Sequence, residues 1–372
     1  MRIFVNNPTC VLIVVFAVRA VGWRIVSAIQ TNDARRDEPT QLGPGSREDA
    51  TTPPSTTGGF VRGCYSFARR TRFPVCTVAR QRLFALALLI AQIGITFTGS
   101  IVRVTASGLG CPTWPECQPG SLVPESGSIP WVHQLIEFGN RTLTFVLTIF
   151  VILAFLAVSR AKRRSEIIVL AFIQGTGVIA QAVIGGISVH LDLAWWMVAL
   201  HFLPSMVLVW LAALLWVRID EPDDGKAQVM YPQPLRWLAL MSSIAMGITL
   251  ITGTMVTGAG PHAGDSEVPA DSRLQIPLDL MAHLHAHAMY LYLGLVAGLL
   301  FGLLTVRADR AIMKTTQWLV VLIVLQAGVG IVQYWLDVPR WTVPLHVIGS
   351  GVICAVTAVL WAQGKRRAAP RI

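Results

Sequence analysis

Eight stretches of this chain are so apolar and so long that they constrain the fold before any other feature is read. They run over 83–104, 131–158, 166–188, 195–217, 236–257, 278–305, 315–336 and 342–363, each near or above the ~20 residues that a bilayer core requires. Inside lipid the backbone must satisfy its own hydrogen bonds, so runs of this length read as helices. The expected fold class is therefore an all-α polytopic membrane protein with eight transmembrane helices. Composition agrees: 13% of residues are charged and 53% are hydrophobic, against about 25% charged in an ordinary soluble domain. The net charge of +10 would suggest nucleic acid only if the basic residues gathered on one folded surface. Here they lie between hydrophobic runs, and a nucleic-acid partner is excluded.

The placement of those charges orients the chain. Basic clusters occur at Arg69, Arg70, Arg72, Arg80 and Arg82, at Arg160, Lys162, Arg163 and Arg164, at Arg307, Arg310 and Lys314, and at Lys365, Arg366 and Arg367. Each follows an even number of spans, which is the positive-inside pattern. The expectation is a multi-pass protein of the cell membrane with both termini cytoplasmic. Residues 1–80 read as an N-terminal extension, cytoplasmic and largely disordered, with a Thr, Pro and Gly-rich segment from Thr31 to Gly59. A short apolar stretch from Cys10 to Val18 fits a signal-peptide core, but no clean small-residue cleavage site follows. An uncleaved or mis-started tail is the expectation.

Two segments align without a gap at an offset of 145. Gln181, Gly185, Asp192, Trp196, His201 and Trp216 fall on Gln326, Gly330, Asp337, Trp341, His346 and Trp361. The same offset places Asn140 on His285, and Thr98-Gly99-Ser100 resembles Thr252-Gly253-Thr254. The chain reads as a duplicated four-helix unit, its halves pointing the same way and carrying sites at equivalent depths. The expected organisation is an N-terminal half at 81–217, a cytoplasmic linker at 218–235, a C-terminal half at 236–363 and a cytoplasmic tail at 364–372.

His201, His285 and His346 each lie inside a span near its extracytoplasmic end, His201 and His346 about two turns in, roughly 9 Å at 1.5 Å per residue. An ionisable side chain there costs at least ~2.5 kcal/mol on insertion scales, so it faces a bundle interior and marks function. Imidazole at that depth, opposite another imidazole, suits a haem iron. His285 and His346 come from the second and fourth helices of one bundle, where facing side chains can clamp a planar macrocycle. The bland alternative, a histidine hydrogen-bonding between helices, loses weight because the repeat carries it twice. Within His283-Leu-His285-Ala-His287, His283 and His287 share a face and His285 points away from it. An i, i+4 pair can hold a metal such as zinc, but the repeat selects His285 as the inward residue and leaves the other two in supporting or interfacial roles.

The halves are unequal. His201 has no histidine at the equivalent of His285, where Asn140 stands instead, and Glu137 lies three residues before Asn140 on nearly the same helical face. A carboxylate there is either in a structural ion pair with Arg141 or in use as an acid or base, and use is the favoured reading. The loop after the first span contains Cys111-Pro-Thr-Trp-Pro-Glu-Cys117, and two cysteines so spaced outside the cytoplasm can close a disulfide. Cys10, Cys64, Cys76 and Cys354 have no evident partner. Arg103, Arg141, Arg273 and Arg340 lie near outer span ends against the positive-inside trend. Arginine suits carboxylates, so these are candidates for haem propionates, with interfacial snorkelling as the alternative.

These residues together resemble the haem A synthase family, of an actinobacterial-like kind. The matching stretches are Gly99-Ser-Ile-Val-Arg103-Val-Thr-Ala-Ser-Gly-Leu-Gly-Cys111-Pro-Thr-Trp-Pro-Glu-Cys117, Ile136-Glu137-Phe-Gly-Asn140-Arg141, Ala199-Leu-His201-Phe, Thr257-Gly-Ala-Gly-Pro-His262-Ala-Gly-Asp265, Leu284-His285-Ala and Leu345-His346. They cover residues 82–363. The resemblance implies oxidation of haem O to haem A: a ring methyl is hydroxylated twice and the geminal diol loses water to leave a formyl group. It implies a haem b held by His285 and His346, and a substrate haem beside His201 and Glu137 under the cysteine loop. Haem O, haem O synthase and an electron acceptor are the implied partners, and a homo-oligomer is compatible with it. The family's Glu-x-x-His-Arg motif has Asn140 in place of its histidine, so five-coordinate iron on His201 is the simplest expectation. His133, seven residues away, lies roughly 10 Å along the helix and is a poor replacement. A membrane cytochrome b that only transfers electrons, or a transporter that rocks about the pseudo-symmetry, would explain fewer of these features.

Overall fold

Where the apolar runs end, the backbone turns back on itself in a repeated way. In a computed structural model the described residues are 59–368, apart from 126, 128, 263, 266 and 267; most of the expected extension lies outside them. A helix α1 (Gly59–Arg70) is followed by α2 (Val78–Val104), α3 (Trp131–Arg160), α4 (Ser165–His190) and α5 (Trp195–Arg218). A strand β1 (Lys226–Val229) then precedes α6 (Gln233–Ala259), α7 (Leu278–Thr305), α8 (Arg310–Trp335), α9 (Thr342–Gln363) and β2 (Lys365–Ala368). Among the described residues eight helices, α2 to α9, are long and apolar enough to cross a membrane. They begin and end within a few residues of the apolar runs. Phe145, Phe301 and Trp335 are 72%, 67% and 76% exposed, as a surface solvated by lipid allows.

The duplication is visible in the backbone as well as in the side chains. Lys162 and Arg307 both adopt left-handed φ values of 52° and 50°, and Asp192-Leu193 and Asp337-Val338 do so at 47° and 52° and at 54° and 58°. Such a residue at a helix end lets the chain bond back into the last turn. Leu193 donates its N–H to Ser188 at 3.0 Å and Val338 to Gln333 at 2.8 Å; Arg163 donates to Val158 at 3.1 Å and Ala308 to Leu303 at 3.0 Å. Each pair lies one repeat apart. Left-handed backbone costs a non-glycine residue roughly 1–2 kcal/mol, so its recurrence at matched positions marks a conserved geometry of the repeat unit rather than shared apolar composition.

Within each half the first span packs on the second, the second on the third, the third on the fourth and the fourth on the first, a closed bundle. Between halves, α5 packs on α9, α9 on α2 and α5 on α6. The fourth spans, which carry His201 and His346, thus lie together at the centre. Leu88, Met206, Leu215, Leu299, Leu319 and Ile323 are almost fully buried between the bundles' helices.

The side bearing the α3–α4 turn is pinned by charge. Arg163 donates to Asp223 at 2.8 Å, to Gln81 at 2.9 Å and to the carbonyls of Ile219 and Glu221 at 2.9 and 3.0 Å. Glu221, 5% exposed, accepts from Arg164 at 2.8 Å and Arg218 at 2.7 Å. The segment expected as a linker and the expected tail meet here: Lys226–Val229 pairs antiparallel with Lys365–Ala368. A two-stranded ribbon thus joins the two segments. Helix α1 lies against α3 and α4 with Tyr65 and Ala68 buried, and Arg160 donates to the carbonyls of Arg69 and Phe73.

Candidate functional site

The histidines of the repeat are held by matching sets of partners. In the first half Gln181 donates from Nε2 to the His201 carbonyl at 3.0 Å and to Ser205 Oγ at 2.8 Å, and Ser205 donates to the same carbonyl at 2.8 Å. In the second half Gln326 donates to the His346 carbonyl at 2.7 Å and to Ser350 Oγ at 3.3 Å, and Ser350 donates to that carbonyl at 2.8 Å. A Cβ added to Gly185 would lie 3.1 Å from His201 Cε1, and one added to Gly330 3.3 Å from His346 Cε1. The glycine at this place lets the imidazole lie against the neighbouring helix. The ring nitrogens His201 Nδ1 and His346 Nδ1 are buried without a hydrogen-bond partner, an arrangement that costs about 1–3 kcal/mol for an uncompensated polar atom.

His285 completes the second-half station. Its Nδ1 lies 3.0 Å from the Thr249 carbonyl and 3.2 Å from Thr252 Oγ1. A ring so held donates from Nδ1 to the carbonyl and keeps Nε2 for a metal. The His285 and His346 ring centroids are 6.1 Å apart. Two imidazoles on one metal at about 2 Å each, with about 1 Å more from nitrogen to ring centre on either side, would place the centroids about 6 Å apart. The pair fits a six-coordinate haem iron in separation and in donor type. His283 and His287 are exposed, His283 bonded to the Asp279 carbonyl at 2.7 Å and edge-on to Tyr334, His287 edge-on to Tyr290. They face away from that station, and among the described residues no cluster of three or more His, Cys, Asp or Glu is arranged to hold a metal ion.

In the first half the equivalent of His285 is Asn140, and the structure gives it the equivalent partner. Thr98 donates to Asn140 Oδ1 at 2.7 Å, as Thr252 lies against His285. His133 lies seven residues from Asn140, roughly 10 Å along the helix, with its Nδ1 2.7 Å from the Ala106 carbonyl. His133 therefore fastens the turn at the end of α2.

The cysteine loop is built around Glu137. Cys111 and Cys117 form a disulfide with an S–S distance of 2.02 Å. Glu137, 5% exposed, accepts from the Cys111 N–H at 2.6 Å through Oε2 and from Arg141 at 2.6 and 3.1 Å through Oε1. Arg141 also donates to the carbonyls of Cys111 at 2.8 Å, Thr113 at 2.9 Å and Glu116 at 3.2 Å. All five donors of its guanidinium are engaged, three on loop carbonyls and two on Glu137, so Arg141 has none left for a propionate. The ion pair weighed in the sequence is present, and it works as a latch for the loop. The glycines of Gly108-Leu-Gly110 permit the fit: a Cβ on Gly110 would lie 2.5 Å from the His133 carbonyl oxygen, and one on Gly108 2.5 Å from Leu193 Cδ1. Trp114 packs on Gly186, next to the glycine that faces His201. The loop therefore covers the His201 half.

Contacts between the two loop systems carried no periodic signal in the sequence. Gly108 donates its N–H to the Gly264 carbonyl at 2.9 Å and Leu109 to Asp265 at 3.3 Å. His262 reaches the Val338 carbonyl at 2.8 Å. Arg103, of the first half, donates to the Thr257 carbonyl of the second at 3.0 Å while its Nε stays buried and unpartnered. Arg273 donates to the Gly260 carbonyl, and Arg340 is exposed.

Comparison with known proteins fits this geometry. Residues 82–358 match the family described as COX15-CtaA, cytochrome oxidase assembly protein. A heme A synthase of Lysinibacillus sphaericus is 33% identical over 178 residues, covering 46% of this chain and 56% of that protein. One from Listeria monocytogenes is 32% identical over 180 residues, 47% and 58% of the two chains, and one from Exiguobacterium sibiricum is 28% identical over 180 residues, 48% and 59%. The matched region thus spans little more than half the length of these relatives. None of the three organisms supports the actinobacterial likeness expected from the sequence. The family match runs through both halves, from the start of α2 nearly to the end of α9, and on that extent the chain belongs to the COX15-CtaA family of cytochrome oxidase assembly proteins.

Proposed function

We propose that the protein is a haem A synthase, a membrane oxidoreductase that oxidises a ring methyl of haem O to a formyl group through two hydroxylations and loss of water. The observation that carries the reading is the unequal duplication. One station has two imidazoles at a separation that suits iron, and its counterpart has one imidazole, an amide and a disulfide loop latched over it. A carrier of electrons alone would need only the first.

His285 and His346 would hold haem b, which supplies electron transfer when bound. His201 would hold the iron of haem O as substrate. Glu137 is the catalytic candidate: its carboxyl group, held by the Cys111 N–H and Arg141, would stabilise positive charge developing at a reacting methyl or activate water. Through the same bonds it keeps the loop closed. Arg103, with an unpartnered buried Nε, and Arg273 and Arg340 remain the candidates for propionates. The basic residues on the α3–α4 and α7–α8 side support a cell-membrane orientation with that side and both termini cytoplasmic. An electron acceptor is the partner this oxidation requires, and haem O synthase is the proposed source of haem O.

The test is pigment analysis of the full chain purified from cells that make haem O. Haem B together with haem O, its hydroxylated form or haem A is the expected outcome. Haem B alone would instead favour a simple cytochrome b.

A further inference from the structure

We propose that Thr98 and Asn140 form a pocket for a small axial ligand that accepts a hydrogen bond, bound to the iron on the side opposite His201. The proposal rests on the reading of a haem in the first half. It starts from the repeat: Thr252 and His285 on one side, Thr98 and Asn140 on the other, are the same two helix positions in contact. In the second half the imidazole fills the space, since a Cβ on Gly253 would lie 3.2 Å from its Cε1; a Cβ on Gly99 would meet nothing within 4 Å. The shorter amide leaves room where the ring stood.

No other imidazole takes that place. Of the chain's eight histidines, His133 lies roughly 10 Å along α3 from Asn140, and His190 and His262 lie against the carbonyls of Trp114 and Val338. His283 and His287 are exposed on α7, and His285 and His346 face each other. A neutral carboxamide is a poor ligand for iron, which prefers imidazole or thiolate. Its orientation suits a different task. Thr98 donates to Oδ1, so the Nδ2 hydrogens remain, and no described residue accepts from them. The amide is set to donate to a ligand on the iron. Polar pairs also serve simply to join helices in membranes, and the experiment separates the two roles.

Full-length protein loaded with haem O would be titrated with azide in the ferric state and with carbon monoxide after reduction. Electron paramagnetic resonance would report spin state and infrared spectroscopy the C–O stretch. The low-spin signal of the His285 and His346 site serves as the fold check in every variant. The unmutated protein should show a second, high-spin haem that binds both probes. Asn140→His should convert that haem to low spin and abolish carbon monoxide binding. Asn140→Leu should still bind carbon monoxide, with a raised stretching frequency, and should lose about tenfold in azide affinity, the scale of one hydrogen bond to an anion. Unchanged azide affinity and stretch in Asn140→Leu would show that the pair only joins helices and would overturn the proposal. So would a first-half haem that is low-spin and inert to both probes, even in a protein that makes haem A. Failure to retain haem O at all would overturn the reading of the first half, and the pocket with it.

Discussion

Replacing Glu137 with alanine should release the disulfide loop without unfolding the bundle. The carboxylate accepts one buried backbone N–H and two guanidinium hydrogens, at 2.6, 2.6 and 3.1 Å. Breaking a buried ion pair costs about 3–5 kcal/mol when the partner is left uncompensated. Here Arg141 is 21% exposed in its side chain and keeps three carbonyl acceptors, so the lower end, about 3 kcal/mol, applies. At 1.4 kcal/mol per factor of ten, the loop's open population should rise roughly 100-fold. The opening is local because Glu137 touches the loop and not the helix core around Leu88 or Leu299. Hydrogen–deuterium exchange of purified protein should therefore show faster exchange at residues 108–121, and the disulfide should be reduced faster by dithiothreitol. Protection of α4 and α9 should not change. Glu137→Gln, which keeps one acceptor but loses charge, should fall between the two and should bind haem O without oxidising it. Loop exchange in Glu137→Ala equal to that of the unmutated protein would refute the latch.

Three further outcomes follow from the same contacts. Cys111→Ser should leave the low-spin haem spectrum intact while lowering turnover, because the loop covers the other half; an altered spectrum would contradict that placement. Gly110→Ala should loosen the loop by about 1–3 kcal/mol, since its Cβ would collide with backbone at 2.5 Å, again read by exchange at residues 108–121. Arg163→Ala should be among the most destabilising changes outside the haem stations. It leaves Asp223, Gln81 and two carbonyls short of donors, so thermal unfolding in detergent should drop by several degrees.

The eight spans and the duplication could be read from the sequence because each rests on a signal that lipid imposes: long apolar runs, and rare polar residues such as Gln181, His201, Gln326 and His346 recurring at fixed spacing. The choice of His285 over His283 and His287 agrees with the exposure of the outer two. The Glu137–Arg141 pair was legible as one of two readings, but the grip of Arg141 on the loop carbonyls was not. A guanidinium near a span end reads the same whether it awaits a propionate or, as here, closes on three carbonyls and a carboxylate. Helix α1, the β1–β2 ribbon and the Gly108–Gly264 contact were missed for a related reason. The ribbon and the loop contact rest on backbone bonds between distant segments, and α1 is docked by Arg160 on the carbonyls of Arg69 and Phe73; such contacts leave no pattern in side-chain identity.

The claim that one half keeps a resident haem while the other holds the substrate is tested most directly by counting pigments in two single variants. His346→Ala and His201→Ala would each be purified from cells that make haem O, and the extracted haems quantified by chromatography and mass. The account predicts that His346→Ala loses haem B but retains haem O, and that His201→Ala retains haem B with its low-spin spectrum but loses haem O and haem A. Loss of the same pigments from both variants, or retention of haem B in His346→Ala, would contradict it.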